Sequence, residues 1–306
     1  MSAPFFSVII PSFNRLSFLQ ECIASVRAQT FQDFELIVVD DGSTDGTSDY
    51  LASEVPGVHP VRQANAGPGA ARNKGASVAC GRYLAFLDSD DLWTPWALET
   101  YARALARCDA CSVIFGNFAD FENVEQLAWG ERAAFAIDHR ACFLDACQEG
   151  YFAGAGMMVV ERAVFEDITG FREKRMNAED HDLALRLGDA RGFVQVLSPI
   201  TVFHRIHGSN ETASLAQSYA GMRHLVGTEL QGGYPGGRER AAQRRSIIGR
   251  HVRPVVLSAA RSGQFLEAWA LYKATAGWQA REMRFKFLAG AALIIGAAAV
   301  RRIAHG

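Results

Sequence analysis

The chain is 306 residues long, enough for one large domain or one domain with a smaller appendage, and either would bury a real core. Hydrophobic residues make up 49% and charged residues 21%, the balance of an ordinary globular protein rather than a disordered one. A formal net charge of -2 provides no global field to draw in nucleic acid, so no nucleic-acid partner is expected.

The first half alternates in pattern. Phe6-Ser7-Val8-Ile9-Ile10 reads as a buried strand, and Pro11 cuts its apolar run short. With no basic stretch before it, this start is not expected to be a signal peptide, and cytoplasmic residence follows as an expectation. Leu19, Cys22, Ile23 and Val26 recur at helical spacing. Residues 34–39 form a second strand pattern, 44–51 a short helix and 58–63 a short strand. Pro68 suits the first position of a helix reaching about Cys80. Residues 83–87 are a third strong strand. Thr94 is expected to cap a helix that opens at Pro95 and turns Leu98, Tyr101, Ala102 and Leu105 inward. Residues 117–149 show no clean period and read as a loop-rich insertion. Order returns with a strand at 157–160, a helix after Asn177, and strands at 193–197 and 201–204. Strands alternating with helices predict a mostly parallel sheet flanked by helices, over a domain of residues 1–215.

From residue 216 to 306 helical patterns dominate, broken by the glycine-rich stretch 232–237. Leu288 to Val300 is apolar throughout, preceded by Arg281, Arg284 and Lys286 and followed by Arg301 and Arg302. A bilayer span needs about 20 apolar residues, so this run is short for one. Peripheral membrane contact through residues 281–302 is one expectation; burial in a core or in a homo-oligomeric interface is the other.

Six cysteines include Cys108 with Cys111 and Cys142 with Cys147. The two pairs could supply the four ligands of a structural zinc. Reduced, buried thiols are the preferred reading, because 108–111 passes from a helix into an apolar strand. Asn210-Glu211-Thr212 matches a glycosylation sequon, which a cytoplasmic chain would not use.

Polar groups collect at the carboxyl ends of the three strong strands, where open parallel sheets bind ligands. They are Pro11-Ser12-Phe13-Asn14, Asp40-Asp41-Gly42-Ser43 and Asp88-Ser89-Asp90-Asp91. Clustered carboxylates repel unless a positive charge sits among them, and Mn²⁺ or Mg²⁺ shared with a diphosphate is the simplest answer. Asp88 and Asp90 are the candidate ligands, since alternate residues of an extended segment face the same way. Asn65 to Gly75 opens a helix with glycines and carries Arg72 and Lys74, a setting that favours anions. A Rossmann dinucleotide site is a poor match, because no GxGxxG follows the first strand.

Residues 7–15, 39–45, 65–75 and 86–91 together resemble the family-2 glycosyltransferases of GT-A fold, and Ala178-Glu179-Asp180-His181-Asp182 resembles the later acidic motif of that family. The likeness covers roughly residues 5–212. It implies an α/β, Rossmann-like catalytic domain with a helical C-terminal extension. It implies a nucleotide-sugar donor, a UDP-sugar by resemblance, and a glycan or lipid-linked acceptor at the cytoplasmic face of a membrane. Pro11 and Phe13 would line the nucleobase, Asp40 would accept a hydrogen bond from it, and Arg72 would hold the nucleoside. Asn14 and Asp41 belong to the same donor-binding set. Asp88 would face the ribose and the metal, and Asp90 would ligate the metal. His207, in His204-Arg205-Ile206-His207, would reach the metal or the diphosphate, and Arg205 a phosphate. Asp180 would be the general base, with Glu179 as its competitor; a carboxylate that activates the acceptor hydroxyl opposite the leaving group inverts the anomeric centre. Glycine pairs often precede a Phe and an acid in this family, whereas this chain has Thr169-Gly170-Phe171-Arg172. A catalytically silent nucleotide-sugar binding protein and a sugar nucleotidyltransferase are the alternatives. The retained Asp88, Asp90 and Asp180 speak against the first, and the lack of a basic triphosphate loop after the first strand speaks against the second.

Overall fold

The structure is a computed structural model that describes residues 3–53, 55–108, 110–127, 132–173, 176–208 and 214–305, with side chains except at 126 and from 298 onward. The Asn210-Glu211-Thr212 sequon and the side chains of Arg301 and Arg302 lie outside the described residues. Contacts divide the chain into two compact units. The first comprises Met1–Phe143, Tyr151–Arg175 and Asp189–Gly208; the second comprises Leu144–Gly150, Met176–Gly188 and Ser209–Gly306.

The first unit is built on an eight-stranded sheet. Its strands are β1 (Phe6–Ser12), β2 (Phe34–Asp40), β3 (Val58–Arg62), β4 (Tyr83–Phe86), β6 (Val113–Phe115), β8 (Ala136–Arg140), β9 (Met158–Glu161) and β10 (Phe193–Ser198). They lie in the order β3-β2-β1-β4-β9-β6-β10-β8. The four on the β3 side are parallel, as are β6 and β10. β9 runs antiparallel between β4 and β6, and β8 runs antiparallel on β10. A smaller sheet sets β11 (Val202–Arg205) between β5 (Leu92–Trp93) and β7 (Phe118–Phe121).

β1 is buried along its whole length, as its unbroken apolar run requires of a central strand. Helix α1 (Leu16–Arg27) packs Leu19, Cys22, Ile23 and Val26 inward at the expected spacing. The short α2 (Thr47–Ala52) follows β2, and α3 (Pro68–Val78) follows β3 with proline in its first turn. Gly75 lets α3 press against the sheet: a Cβ there would stand 2.5 Å from a methyl of Ile9. α4 (Ala97–Leu105) buries Leu98, Tyr101 and Leu105. Thr94 does not cap it, against expectation. Its hydroxyl donates to the Ile200 carbonyl (3.1 Å), because β5 brings residues 92–94 alongside β11 before the helix begins. Residues 117–149 are also more ordered than their irregular pattern suggests, since they supply β7 and β8. The short α5 (Arg162–Asp167) follows β9.

The second unit is helical: α6 (Glu179–Arg186), α7 (Leu215–Leu230), α8 (Ala241–Arg261), α9 (Phe265–Arg281) and α10 (Phe285–His305). The glycine-rich stretch falls between α7 and α8, and Leu288 to Val300 falls within α10. Among the described residues, no helix is long and apolar enough to cross a membrane.

Candidate functional site

In the first unit, the parallel register sets Ser12 beside Asp40 at the carboxyl ends of β1 and β2, and the Asp41 N–H donates to the Ser12 carbonyl at 2.8 Å. The turn after β1 is fixed by Asn14, which adopts a positive φ of 51°. Its N–H donates to Ser43 Oγ (2.9 Å) and its Oδ1 accepts from the Thr44 N–H (2.8 Å). Pro11 is buried in β1, whereas the Phe13 ring beyond it stands 44% exposed.

The two adjacent aspartates have different surroundings. Asp40 is buried; its Oδ1 accepts from the Ser43 N–H at 2.9 Å. Its Oδ2 accepts no hydrogen bond and lies 3.5 Å from Arg62 Nε, with the Ser12 hydroxyl likewise buried and unmatched. Asp41 is consumed by its own chain. It accepts from Gln63 Nε2 (2.7 Å) and from the N–H groups of Ala66 (2.9 Å) and Gly67 (2.8 Å), which shapes the entry to α3.

That entry aims α3 so that Arg72, almost fully buried, donates from Nη2 to Asp88 Oδ1 at 2.6 Å. Its guanidinium lies 5.2 Å from the centre of the Phe171 ring. Asn73, the next residue, donates to the Phe171 carbonyl and accepts from its N–H, both at 2.8 Å. Gly170 is needed for this clasp, since a Cβ there would lie 2.4 Å from Asn73 Oδ1. Lys74 is exposed.

Asp88, Ser89, Asp90 and Asp91 follow β4. Asp90 Oδ2 meets the guanidinium of Arg15 and lies 2.9 Å from His207 Nε2. β11 makes the second contact, placing His207 two residues beyond its end, with Arg205 at that end. Arg205 is itself buried. Its N–H donates to Asp91 Oδ1 and its Nε to the Asp90 carbonyl, its Nη2 meets Glu21, and its guanidinium lies 4.7 Å and 4.5 Å from the rings of Phe18 and Phe121. Burial, then the charges of Asp88 and Asp90, push the Asp91 carboxyl well above the usual carboxylate range.

Among the described residues, no three His, Cys, Asp or Glu side chains already converge as a metal-holding group. Asp88 is turned to Arg72, and Asp90 to Arg15 and His207. The donor set nevertheless fits a divalent cation in kind: two carboxylates and an imidazole, beside a buried Asp91 whose pKa is raised by burial and then by the charges of Asp88 and Asp90. Sequence reasoning gave no role to Arg15, Asn73, Asp91 or Gly156. Gly156 precedes β9, and a Cβ there would stand 2.8 Å from Asp88 Oδ2. A glycine before a strand carries no signal of that approach.

In the second unit, Glu179 and Asp180 open α6. The Asn177 side chain anchors the start of the helix, donating to the Ser214 carbonyl (3.4 Å) and Ser218 Oγ (3.2 Å). Gly221 of α7 permits the contact, since a Cβ there would fall 2.1 Å from the Asn177 carbonyl oxygen. Glu179 turns back to accept from the Ala178 N–H (3.3 Å). Asp180 Oδ1 lies 2.6 Å from His181 Nδ1, and His181 Nε2 lies 2.9 Å from Nδ1 of His251 on α8. Asp182 points the other way. It is fully buried and bonded to Arg186 (2.8 Å), His224 (3.0 Å) and Tyr234 (2.9 Å).

With this geometry in place, comparison with known proteins decides the family. The profile described as Glycosyl transferase family 2 matches residues 7–169, which hold β1 to β9 and the whole Asp40–Asp88–Asp90 rim. The chain is a member of glycosyl transferase family 2. Its fold is of the GT-A type. The structure of TarS from S. aureus in complex with UDP superposes with a TM-score of 0.65 at 21% identity, over 85% of this chain and 74% of that one. A mannosyltransferase from Pyrobaculum calidifontis, in complex with GDP-Man and Mn²⁺, gives 0.52 at 18% identity, over 99% and 88%. In sequence, an uncharacterised glycosyltransferase of Nostoc sp. is 29% identical over 69% of this chain and 68% of its own length. The succinoglycan biosynthesis protein ExoW of Rhizobium meliloti is 31% identical over 57% and 60%. Several relatives are much longer than their match: the chain covers 22% of a glycosyltransferase from Rickettsia felis and 28% of YibD from Escherichia coli.

Proposed function

We propose that this family-2 member is an inverting, metal-dependent transferase that moves a sugar from a UDP-sugar to a hydroxyl of a glycan or lipid-linked acceptor. The observation that carries the reading is the buried Asp40 oxygen with no hydrogen bond to it, at the head of a rim that continues through Arg72, Asp88 and Asp90. A carboxylate in that state is a ready acceptor for a ring N–H, since a buried acceptor left unmatched costs about 1–3 kcal/mol. The UDP held by TarS supports the choice of nucleotide.

In this reading Phe13, exposed beyond β1, stacks on the base above Pro11, Asn14 holds the turn that presents them, and Asp41 shapes the loop that aims Arg72. Asp88, Asp90 and His207 would hold Mn²⁺ or Mg²⁺, which when bound supplies Lewis-acid charge to the departing diphosphate. Asp180 takes the proton of the acceptor hydroxyl as its oxygen bonds to the anomeric carbon and the bond to the diphosphate breaks. Attack and departure on opposite faces invert that carbon. Glu179, turned back on its own helix start, is the lesser candidate for the base.

The reading extends to a peripheral membrane contact at the cytoplasmic face. Over residues 261–306 basic residues outnumber acidic ones seven to two. The turn from α9 to α10 exposes Met283 and Phe285 beside Arg281, Arg284 and Lys286. An exposed apolar pair ringed by cations suits an anionic lipid surface rather than a second copy of the same basic segment.

The test is nucleoside-diphosphate release from a panel of nucleotide sugars, with Mn²⁺, Mg²⁺ or EDTA, for the wild type and Asp180→Asn. Release from a UDP-sugar that EDTA and the substitution both abolish is the expected result. Nucleotide-sugar binding without turnover, with or without acceptor extracts, would make the chain a silent binder. Release of pyrophosphate would make it a nucleotidyltransferase. No binding of any nucleotide sugar would remove the reading.

A further inference from the structure

The run starts from Asp180 and His181 of the acidic motif, continues to His251 on α8, which is not part of that motif, and lies wholly within the second unit. Asp180 Oδ1 sits 2.6 Å from His181 Nδ1, and His181 Nε2 sits 2.9 Å from His251 Nδ1. The two rings meet edge to face, with centroids 3.8 Å apart. His181 is 12% and Asp180 20% exposed at the side chain, so both are largely shielded from solvent. We infer that His181, held by His251, is a positioning residue for Asp180, fixing its carboxylate in one rotamer and keeping it ionised. The inference rests on Asp180 being the base.

Two hydrogen bonds in line allow few proton arrangements. If Asp180 is a carboxylate, it can only accept, so His181 Nδ1 carries a proton. The second contact then needs one proton between His181 Nε2 and His251 Nδ1. Burial opposes charge on His181, but the charge and hydrogen bond of Asp180 outweigh it and raise its pKa. Burial, then the neighbouring His181, drive His251 down to about 2, so it stays neutral. The favoured arrangement is therefore His181 donating at both nitrogens, to Asp180 and to a His251 that carries its own proton on Nε2. Among the described residues, the charged groups acting on the pair are Glu179 and Asp180 on α6 and Arg250 and Arg253 on α8.

The sign follows from the donated bond. A donor or cation beside a carboxylate lowers its pKa, so removing His181 raises the pKa of Asp180, and the acid limb of the rate profile moves to higher pH. His181→Phe should lower kcat for nucleotide-sugar turnover on the order of tenfold to a hundredfold, with the nucleotide-sugar KM within about twofold. The acid limb of kcat/KM should move up by about one pH unit. His251→Phe should move it the same way by less, and His181→Asn, which keeps a side-chain N–H, should recover part of kcat. An unmoved acid limb in His181→Phe, whatever its kcat, overturns the inference. Imidazole ¹⁵N shifts of the wild-type chain test it independently of folding in the variants: His181 protonated on Nδ1 and His251 on Nε2 is the expected pattern, and a bare His181 Nδ1 overturns it. Asp180→Asn separates the two layers. Full turnover in that variant removes Asp180 as the base, whereas a dead Asp180→Asn beside an unperturbed His181→Phe removes only the role of the histidines.

Discussion

Gly156 shows how a residue with no chemistry of its own can set the site. A methyl group there would press on Asp88 Oδ2 at 2.8 Å and on its Cγ at 3.0 Å, and Asp88 could yield only by leaving Arg72. Gly156→Ala should therefore raise the KM for the nucleotide sugar on the order of tenfold, equivalent to about 1.4 kcal/mol, while thermal unfolding by circular dichroism stays close to wild type. A KM unchanged beside the same melting curve would show that Asp88 takes no part in binding the nucleotide sugar. At this scale the sequence was legible in kind but not in detail. Asp40 and Asp41 are the same residue type side by side. Which one keeps an oxygen open is decided by Gln63, Ala66 and Gly67, more than 20 residues away. His207 beside Asp90 was legible as a basic element following a strand, but Arg15 was not, since a surface arginine after a turn usually reports only solvation.

Helix α6 shows what element-level reading captures and misses. Its apolar positions Leu183, Ala184 and Leu187 were visible in the sequence, and the structure buries all three. Asp182 reads as one more acid of the first turn, yet it is the buried hub for Arg186, His224 and Tyr234. Burial opposes its ionisation, but the bonds from His224, Arg186 and Tyr234 outweigh that and hold its pKa below the ordinary value. A depressed native pKa gives stability that is present above the unfolded pKa of about 3.9 and is lost as pH falls through the native one. Asp182→Asn, which leaves Arg186 facing an amide, should cost about 3 kcal/mol in urea unfolding at pH 7, and the gap to wild type should close below about pH 4. A gap constant from pH 7 to 3 would mean that the charge on Asp182 contributes nothing. The strong strands were legible as apolar runs, α1 by its helical spacing and α3 by the proline at its first position. β7 and β8 were not: each has only four or five residues, with charged Asp120, Asp138 and Arg140 among them, and their pairing comes from β11 and β10 far along the chain. Thr94 was misread because the cap rule sees only the following helix, while its hydroxyl is claimed by Ile200.

At the scale of the whole molecule, charge is distributed unevenly along the chain. A net formal charge of -2 conceals a C-terminal segment with seven basic and two acidic residues, so the remainder is distinctly acidic. Exposed charges separated by more than about 10 Å are screened in 0.1 M salt, so an anionic surface responds to the charges nearest to it rather than to the net charge of the chain. The chain should float with vesicles containing anionic lipid and not with purely zwitterionic ones. Raising salt to about 0.5 M should weaken the association, and Met283→Glu with Phe285→Glu should abolish it. Equal flotation with both vesicle types would leave no part for the basic residues. The periodicity of 216–306 announced helices. It could not announce that 144–150 and 176–188 group with them, because that depends on contacts such as Asn177 with Ser218.

In the proposed donor site, the open oxygen of Asp40 would act as a filter for a single hydrogen atom. Uracil and guanine carry a proton on the ring nitrogen of the pairing edge; cytosine and adenine present a bare lone pair there. A buried carboxylate facing a lone pair stays unmatched, and sites built around a hydrogen bond reject analogues that lack it by large factors. Nucleotide choice in this chain would then divide bases by that proton rather than by size, setting CDP- and ADP-linked sugars on one side and UDP- and GDP-linked sugars on the other.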